Sequence, residues 1–383
     1  MKELFLFILA ILLLSSCKVS NKLINISGLI SCEDDSTVLV HPFITRLSDG
    51  QTFIGDDKGH YVVDVMRGDT LVFSYVGAIN DTVVAKNSRL DVKLKPYNAG
   101  KDEYIFVDKT HKLQEDLNSY ISGKDARIGI AVIVNGKDTI SVNGNREFPM
   151  MSVFKFPLAL AVSDYCLKND ILLSDSISIK TDAIKENTWS PMRDKYGVRD
   201  LKLPISELLD YILQQSDNNA CDILIDFIGG TSVADKLMKS LGYHDIIISH
   251  TEDEMHRDLS LSYLNRTTPI AMARLFDQFY RQGMRHENVF HDYIAESMLT
   301  CQTGLDRLPA PLLHSNAIIG HKTGTGDINS QGRIIAVNDA GYIIIPNKSG
   351  YSIAVFVADS GYDMAETSKI IAEISKMVFN TTN

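Results

Sequence analysis

The first quarter of the chain carries its apolar residues in short runs of good strand formers. Leu29-Ile30, Thr37-Val-Leu-Val40, Tyr61-Val-Val-Asp-Val65, Thr70-Leu-Val-Phe-Ser-Tyr-Val76 and Val92-Lys-Leu94 are rich in β-branched and aromatic residues, which fit a pleated, half-buried surface. Ser48-Asp-Gly50, Asp57-Lys-Gly59 and Arg67-Gly-Asp69 punctuate them as turns. This spacing predicts a small antiparallel sandwich of about seven strands over residues 24–96.

Pro96-Tyr-Asn-Ala-Gly-Lys-Asp102 reads as a linker, and the pattern then changes. A helical stretch is expected around Thr110–Ile121, followed by strands at 127–134 and 138–142. Asn135-Gly136 between them is a strong hairpin turn. An apolar helix follows Ser152, with Pro157 in its first two turns, and the middle of the chain to about Arg285 is mostly helical, including Ile205–Gln214. Strands return at 333–337, 341–345 and 351–357, and a last helix is expected from Met364 to about Val378. Strands at both ends with helices between them imply an α+β domain over 103–380, whose two ends feed one antiparallel sheet.

Composition narrows the function classes. The 383 residues are 45% hydrophobic and 22% charged, with a formal net charge of −10; this is a globular chain whose acidity argues against nucleic acid as a partner. At the N-terminus, Met1-Lys-Glu precedes an apolar run from Leu4 to Leu14, too short for a membrane span and suited to an export signal. Leu14-Ser-Ser-Cys17 resembles the bacterial lipoprotein cleavage box. Residues 1–16 are therefore expected to be a signal peptide and Cys17 a lipidated, membrane-anchoring residue on the periplasmic side. Cys32, Cys166, Cys221 and Cys301 show no zinc-type or close-pair spacing. His250, Glu252, Glu254 and His256 crowd together, but their i, i+2 spacing matches no familiar zinc pattern, so no metal and no cofactor is expected.

Candidate chemistry begins at Ser152-Val-Phe-Lys155. A serine at a helix start meets unpaired backbone N–H groups and the positive dipole end. A lysine three residues on lies on the same face, where its amine can take the hydroxyl proton. Ser-x-x-Lys alone is weak: Ser15-Ser-Cys-Lys18 matches it inside the export signal. Two later motifs change the weighing. Ser216-Asp217-Asn218 offers a second hydroxyl and a side-chain amide, and Lys322-Thr323-Gly324-Thr325 offers an amine and two hydroxyls with a glycine for close backbone approach.

In that order these three motifs form the set of penicillin-recognising serine enzymes, and the chain resembles class A β-lactamases from about residue 103 onward. Trp189-Ser-Pro191 resembles the segment flanking that family's site entrance, Glu252 to Asn265 its Ω-loop, and Thr303-Gly-Leu-Asp-Arg307 the segment in which some members place a carboxylate-binding arginine. The resemblance implies a small-molecule β-lactam substrate and a monomer. Ser152 is the implied nucleophile, with Lys155 or Glu252 as base and Glu252 activating water for deacylation. Backbone N–H groups of Ser152 and Thr325 would form the oxyanion hole. Ser216 would relay a proton to the departing nitrogen, with Lys322 tuning it, and Asn218, Trp189, Thr323, Gly324, Thr325 and Arg307 would line the substrate site. His256 stands where many members have an asparagine that helps to hold the hydrolytic water. A DD-peptidase with slow deacylation, or an inactive binding lipoprotein, are the alternatives; Glu252 speaks against the first and the intact motif set against the second. Asp56-Asp-Lys-Gly-His-Tyr61 with Gly68-Asp-Thr-Leu-Val-Phe-Ser-Tyr-Val-Gly77 resembles the carboxypeptidase regulatory-like domain, expected here as a spacer or interaction module of unknown partner.

Overall fold

Alternation of apolar and polar residues becomes sheet in the first of two units, which divide at Pro96. The computed structural model describes residues 23–33, 36–49, 51–75, 78–96, 103–136, 138–283, 288–345 and 350–382; the expected signal peptide, Cys17 and most of the linker lie outside the described residues. Among its described residues are eight strands: β1 (Leu23–Cys32), β2 (Phe43–Arg46), β3 (Thr52–Ile54), β4 (His60–Met66), β5 (Thr70–Ser74), β6 (Ala78–Ile79), β7 (Asp81–Val84) and β8 (Val92–Pro96). They form two four-stranded sheets, ordered β4-β1-β8-β6 and β3-β2-β5-β7. Along β4, Tyr61, Val63 and Val65 are buried while His60, Val62, Asp64 and Met66 face out, the two-residue period of a half-buried strand. Those inward residues share a core with Ile26 and Ile30 of β1 and with Ile44, Leu71 and Phe73 of the other sheet. Tyr61 meets Phe73 edge-on at 5.3 Å.

The details differ from the expected sandwich in three ways. Thr37–Val40 makes only an isolated bridge, Val38 to Ser31. The short strands β2, β3, β6 and β7 escape notice because their pairing is decided by neighbours such as β5 rather than by local pattern. The first and last strands, β1 and β8, run parallel.

In the second unit β9 (Arg127–Val134) and β10 (Asp138–Val142) form the expected hairpin. Asn135 and Gly136 at its turn both have positive φ, 54° and 67°, as a type I′ turn requires. β15 (Ile318–Thr325), β16 (Ile334–Ile344) and β17 (Tyr351–Ser360) complete a five-stranded antiparallel sheet, ordered β10-β9-β17-β16-β15. Two-stranded pairs join β11 (Phe148–Pro149) to β14 (Arg266–Thr267) and β12 (Ser176–Ile179) to β13 (Leu201–Pro204). The two strands expected at 333–337 and 341–345 are one strand, β16. Gly341 is not a break: a Cβ there would come within 2.4 Å of Gly320 O on β15, so the glycine serves close strand approach.

Helices α1 (Glu103–Ile121) and α10 (Met364–Thr382) pack Leu113, Leu117, Ile370, Ile371, Ile374 and Val378 into one core with the sheet. Between the ends of the sheet lie α2 (Lys155–Lys168), α3 (Pro191–Tyr196), α4 (Ile205–Gln214), α5 (Asn218–Ile228), α6 (Thr231–Ser240), α7 (Glu252–Arg257), α8 (Pro269–Gly283) and α9 (Val289–Leu299). α2 is apolar nearly all round, with Phe156, Leu158, Ala159, Ala161 and Val162 buried, the composition of a central helix rather than a surface one. Phe156 stacks on Phe276 of α8 at 4.1 Å. That burial fixes the axis from which Lys155 projects.

Candidate active site

Ser152 sits in a single 3-10 turn, Met151–Phe154, which runs directly into α2. The helix proper thus starts three residues later than the serine, and Pro157 falls in its first turn, where a missing N–H costs nothing. Met151 is held at φ 46°, a left-handed conformation that costs a non-glycine residue about 1–3 kcal/mol and persists only where its surroundings impose it. They do. Met150 N donates to Asn265 O at 2.8 Å, and the buried Asn338 amide donates to Pro149 O at 2.8 Å and Met150 O at 3.1 Å. β15 presses on the same turn: a Cβ at Gly324 would lie 2.5 Å from Met150 O and 3.2 Å from Ser152 N. Only glycine lets the Gly324–Thr325 backbone come this close to the Ser152 amide.

The Lys155 amine is fully buried and has four oxygens around it. Ser152 Oγ is at 2.9 Å, Ser216 O at 2.8 Å, Asn218 Oδ1 at 2.6 Å and Glu252 Oε1 at 2.8 Å. An ammonium has three protons to donate, one fewer than the partners in reach. The Ser152 hydroxyl in turn donates to Glu252 Oε1 at 3.1 Å. It therefore accepts from the amine and donates to the carboxylate, which is placed to receive its proton, as the amine would be once neutral.

Ser216 joins two lysines. Its carbonyl accepts from Lys155, and its hydroxyl accepts from Lys322 Nζ at 2.9 Å. It too is left-handed, at φ 59°. The turn is pinned by Asp217, whose buried carboxylate caps α5 through Ala220 N at 2.8 Å and accepts from Ser190 Oγ and Met192 N. Burial pushes the Asp217 carboxyl above its usual range, against the pull of these donors. Trp189 is 61% exposed and its indole N–H donates to Gln215 O at 2.9 Å, so it braces the Ser216 turn from outside. Asn218 spans the site, accepting from Lys155 and donating to Thr188 Oγ1 at 2.8 Å.

Glu252 is the first residue of α7, after a capping box in which Thr251 and Glu254 satisfy each other's backbone N–H groups. Asp222 of α5 reinforces this helix start, accepting from Glu252 N at 2.8 Å and Asp253 N at 2.9 Å. Burial, then the Glu252 charge, push the Asp222 carboxyl up to about 7. At the far end of the loop Asn265 accepts from Ser249 N and His250 N and donates to His250 O. His256 lies one turn after Glu252 and lines, with Glu252, Asn218 and Thr188, a cleft of about 480 Å³.

Lys322, Thr323, Gly324 and Thr325 end β15. Lys322 has no exposed surface and donates to Ser216 Oγ and Thr323 O, both at 2.9 Å. Thr323 shares a 2.6 Å hydrogen bond with Thr303. Arg307 is 6% exposed; its guanidinium donates to Gly324 O at 3.0 Å, Asn338 O at 2.9 Å and Thr325 Oγ1 at 2.7 Å. The structure thus gathers Ser152, Lys155, Ser216, Asn218, Glu252, Lys322 and Thr325 around one point, with Trp189 and His256 on the rim and Arg307 behind β15. Asp222, Asn338 and Thr188 were not foreseen, since none belongs to a spaced motif; Thr303 lies in the segment read with Arg307, but its bond to Thr323 leaves no mark in the sequence. Among the described residues no group of three or more His, Cys, Asp or Glu is arranged to hold a metal ion.

Residues 112–382 match the sequence profile described as "Beta-lactamase enzyme family". The chain belongs to that family. A beta-lactamase of Bacteroides uniformis is 38% identical over 276 residues, which are 72% of this chain and 93% of the relative. Beta-lactamase VEB-1 of Pseudomonas aeruginosa is 36% identical, over 71% of this chain and 91% of the relative. The crystal structure of TLA-3 extended-spectrum beta-lactamase superposes with a TM-score of 0.68 at 38% identity, covering 71% of this chain and 98% of its own. A class A beta-lactamase from Bacteroides cellulosilyticus superposes at 0.67 with 39% identity, over 71% and 98%. The fold of the second unit is that of the class A beta-lactamases, with the strand-rich N-terminal unit ahead of the matched residues.

Lys322 yields a test of the site's electrostatics. Burial, helped by the Lys155 charge, lowers its pKa from 10.5 to about 8 in the fold. Between those values the unfolded chain binds more protons than the native one, so this group makes stability rise with pH across about 8 to 10.5 and imposes its full penalty below. Lys322→Met should remove that rise. Thermal melts of both proteins from pH 7 to 10 measure it, and parallel curves would contradict it.

Proposed function

We infer that the protein hydrolyses β-lactams through an acyl-enzyme formed on Ser152. One observation carries the reading: the Ser152 hydroxyl lies within 3.1 Å of both the Lys155 amine and the Glu252 carboxylate. In acylation Ser152 Oγ attacks the ring carbonyl while its proton passes to one of these two groups. The oxyanion forms against the amides of Ser152 and Thr325, donors of a kind worth several kcal/mol of barrier, about 3 for one of them. The departing ring nitrogen takes a proton from Ser216, whose hydroxyl Lys322 polarises. Glu252 then activates the water that cleaves the ester, with His256 and Asn218 walling the same cleft. The substrate carboxylate is met by Lys322, Thr323 and Thr325, and the acylamide side chain by Asn218, between Gly324 and the Trp189 rim.

Glu252→Ala should spare acylation and stall hydrolysis, leaving an adduct on Ser152 visible by intact mass after a cephalosporin is added; Ser152→Ala should show none. Undiminished turnover in Glu252→Ala would remove the carboxylate from the mechanism.

Arg307 supports the carboxylate site from behind, holding the Thr325 hydroxyl and lending its charge to the strand. Arg307→Ala should raise KM about tenfold, the worth of one charge-assisted hydrogen bond, and lower the melting temperature because two carbonyls lose their donor. A Michaelis curve beside a melting curve separates the effects. A lower melting temperature with unchanged KM would leave Arg307 a structural role only.

The export signal before Cys17 supports a lipid-anchored enzyme facing the periplasm, with the N-terminal sandwich, similar to carboxypeptidase regulatory-like domains, as its spacer. A single acyl chain binds membranes only marginally, so stable anchoring takes more than one. Cys17→Ser should move the protein from the membrane to the soluble fraction of a lysate, and an unchanged distribution would refute the anchor.

A further inference from the structure

Cys301, His321 and Asp339 form a second set of reactive side chains, set apart from the two lysine–hydroxyl pairs. Cys301 follows α9, and the segment from it to Arg307 runs beside β15, the outermost strand of the sheet. His321 Nδ1 shares a 2.9 Å hydrogen bond with Asp339 Oδ1, and Asp339 Oδ2 accepts from Leu308 N at 3.2 Å. The Cys301 thiol is within hydrogen-bonding reach of His321, and its Sγ lies 3.5 Å from Thr303 Oγ1 and 3.8 Å from Thr303 O. His321 and Asp339 are closed to solvent at 2% and 0% exposure, while Cys301 keeps 8%.

A thiol beside an imidazole that is backed by a buried carboxylate has the setting of an activated cysteine. Burial pushes the Cys301 thiol up, but the charge and hydrogen bond of His321, with Lys322 and Thr303, outweigh it and bring it below its ordinary value. Burial pulls His321 down, and Asp339 and Cys301 more than reverse that. The other cysteines of this unit are free and differ: in Cys166 and Cys221 burial wins and the thiol is raised. The Tyr280 hydroxyl is buried, has no hydrogen-bond partner among the described residues, and feels the Cys301 charge.

We propose that Cys301 is a site of oxidative modification, converted by a small hydroperoxide to the sulfenic acid, and that this slows the enzyme. The thiolate sulfur attacks one peroxide oxygen; the S–O bond forms as the O–O bond breaks. Sulfur gives up two electrons, the peroxide takes them, and the departing hydroxide collects the His321 proton to leave as water. The narrow access suits hydrogen peroxide rather than a bulky disulfide. Room for the added oxygen is lacking on the Thr303 side, at 3.5 Å. Thr303 holds Thr323, and the same segment ends in Arg307 on the Thr325 hydroxyl. Displacing it moves the end of β15, and the spent imidazolium removes a charge next to Lys322. The sulfur chemistry stands independently of what the enzyme hydrolyses; the effect on turnover rests on the reading above.

The test treats the full chain with hydrogen peroxide, traps sulfenic acid with a 1,3-dione and maps the adducts by peptide mass. Cys301 should be labelled at least about tenfold faster than Cys166 or Cys221, as its setting demands. In a parallel sample without the trap, turnover of a chromogenic cephalosporin should fall severalfold and return with a thiol reductant, which does not reverse methionine sulfoxide. Cys301→Ser should keep basal turnover and lose the sensitivity. Labelling of Cys166 or Cys221 ahead of Cys301, or full Cys301 oxidation with unchanged turnover, overturns the proposal. Should Cys301→Ser fail to fold, the wild-type map and the reductant reversal decide alone. If the untreated chain turns over no cephalosporin, the reading of the activity has failed, and the map still decides the chemistry at sulfur.

Discussion

The second unit is organised around a buried amine. Lys155 brings one positive charge into a place without solvent, and each element that meets it supplies an oxygen: the 3-10 turn gives Ser152, the turn before α5 gives Ser216, α5 gives Asn218 and α7 gives Glu252. An uncompensated charge at such depth costs several kcal/mol, so four separate segments are drawn to one point by the need to neutralise and solvate it. The same four groups are those the proposed chemistry uses. Removing any of them is at once a change of reactivity and a change of the contacts that hold the helices together.

Because the constellation is assembled from distant segments, its precision depends on residues that touch no substrate. Asp217 fixes the Ser216 turn, Asp222 fixes the start of α7, and Asn338 holds the turn that carries Ser152 to the sheet. Each is a buried polar group whose hydrogen bonds are directed, and directed bonds define position more narrowly than apolar packing does. The carboxyls among them sit where burial opposes ionisation and backbone N–H donors favour it.

Much of this could be read from the sequence, and the divide follows a physical line. Residues bound by local spacing were legible: Ser152 with Lys155 three positions on, the Asn135-Gly136 turn, and α4, whose ends were placed at Ile205 and Gln214. The helix after Ser152 was anticipated, though not the 3-10 turn that precedes it. Residues that act across the fold left no local trace. Asn338 is 188 positions from Met150, whose carbonyl it holds, and nothing around it in the chain marks it out. Gly341 shows the opposite failure, since a glycine that permits strand approach looks locally like one that ends a strand. In the N-terminal unit the short strands were missed for the same reason, their pairing being settled by partners.

Met151, next to Ser152, and Ser216 itself both hold left-handed backbone. At about 1–3 kcal/mol apiece the two together consume a sizeable share of the roughly 5–15 kcal/mol by which a domain is stable. The site is thus a debt carried by the remainder of the fold, and that has an evolutionary reading. Substitutions that reshape the cleft for new substrates draw on the same small reserve, so few can accumulate before the chain ceases to fold. Lineages that widen their range would be expected to fix compensating changes far from the cleft first, in positions where packing or helix termini can be improved. Adaptation at the cleft would then follow the reserve rather than lead it.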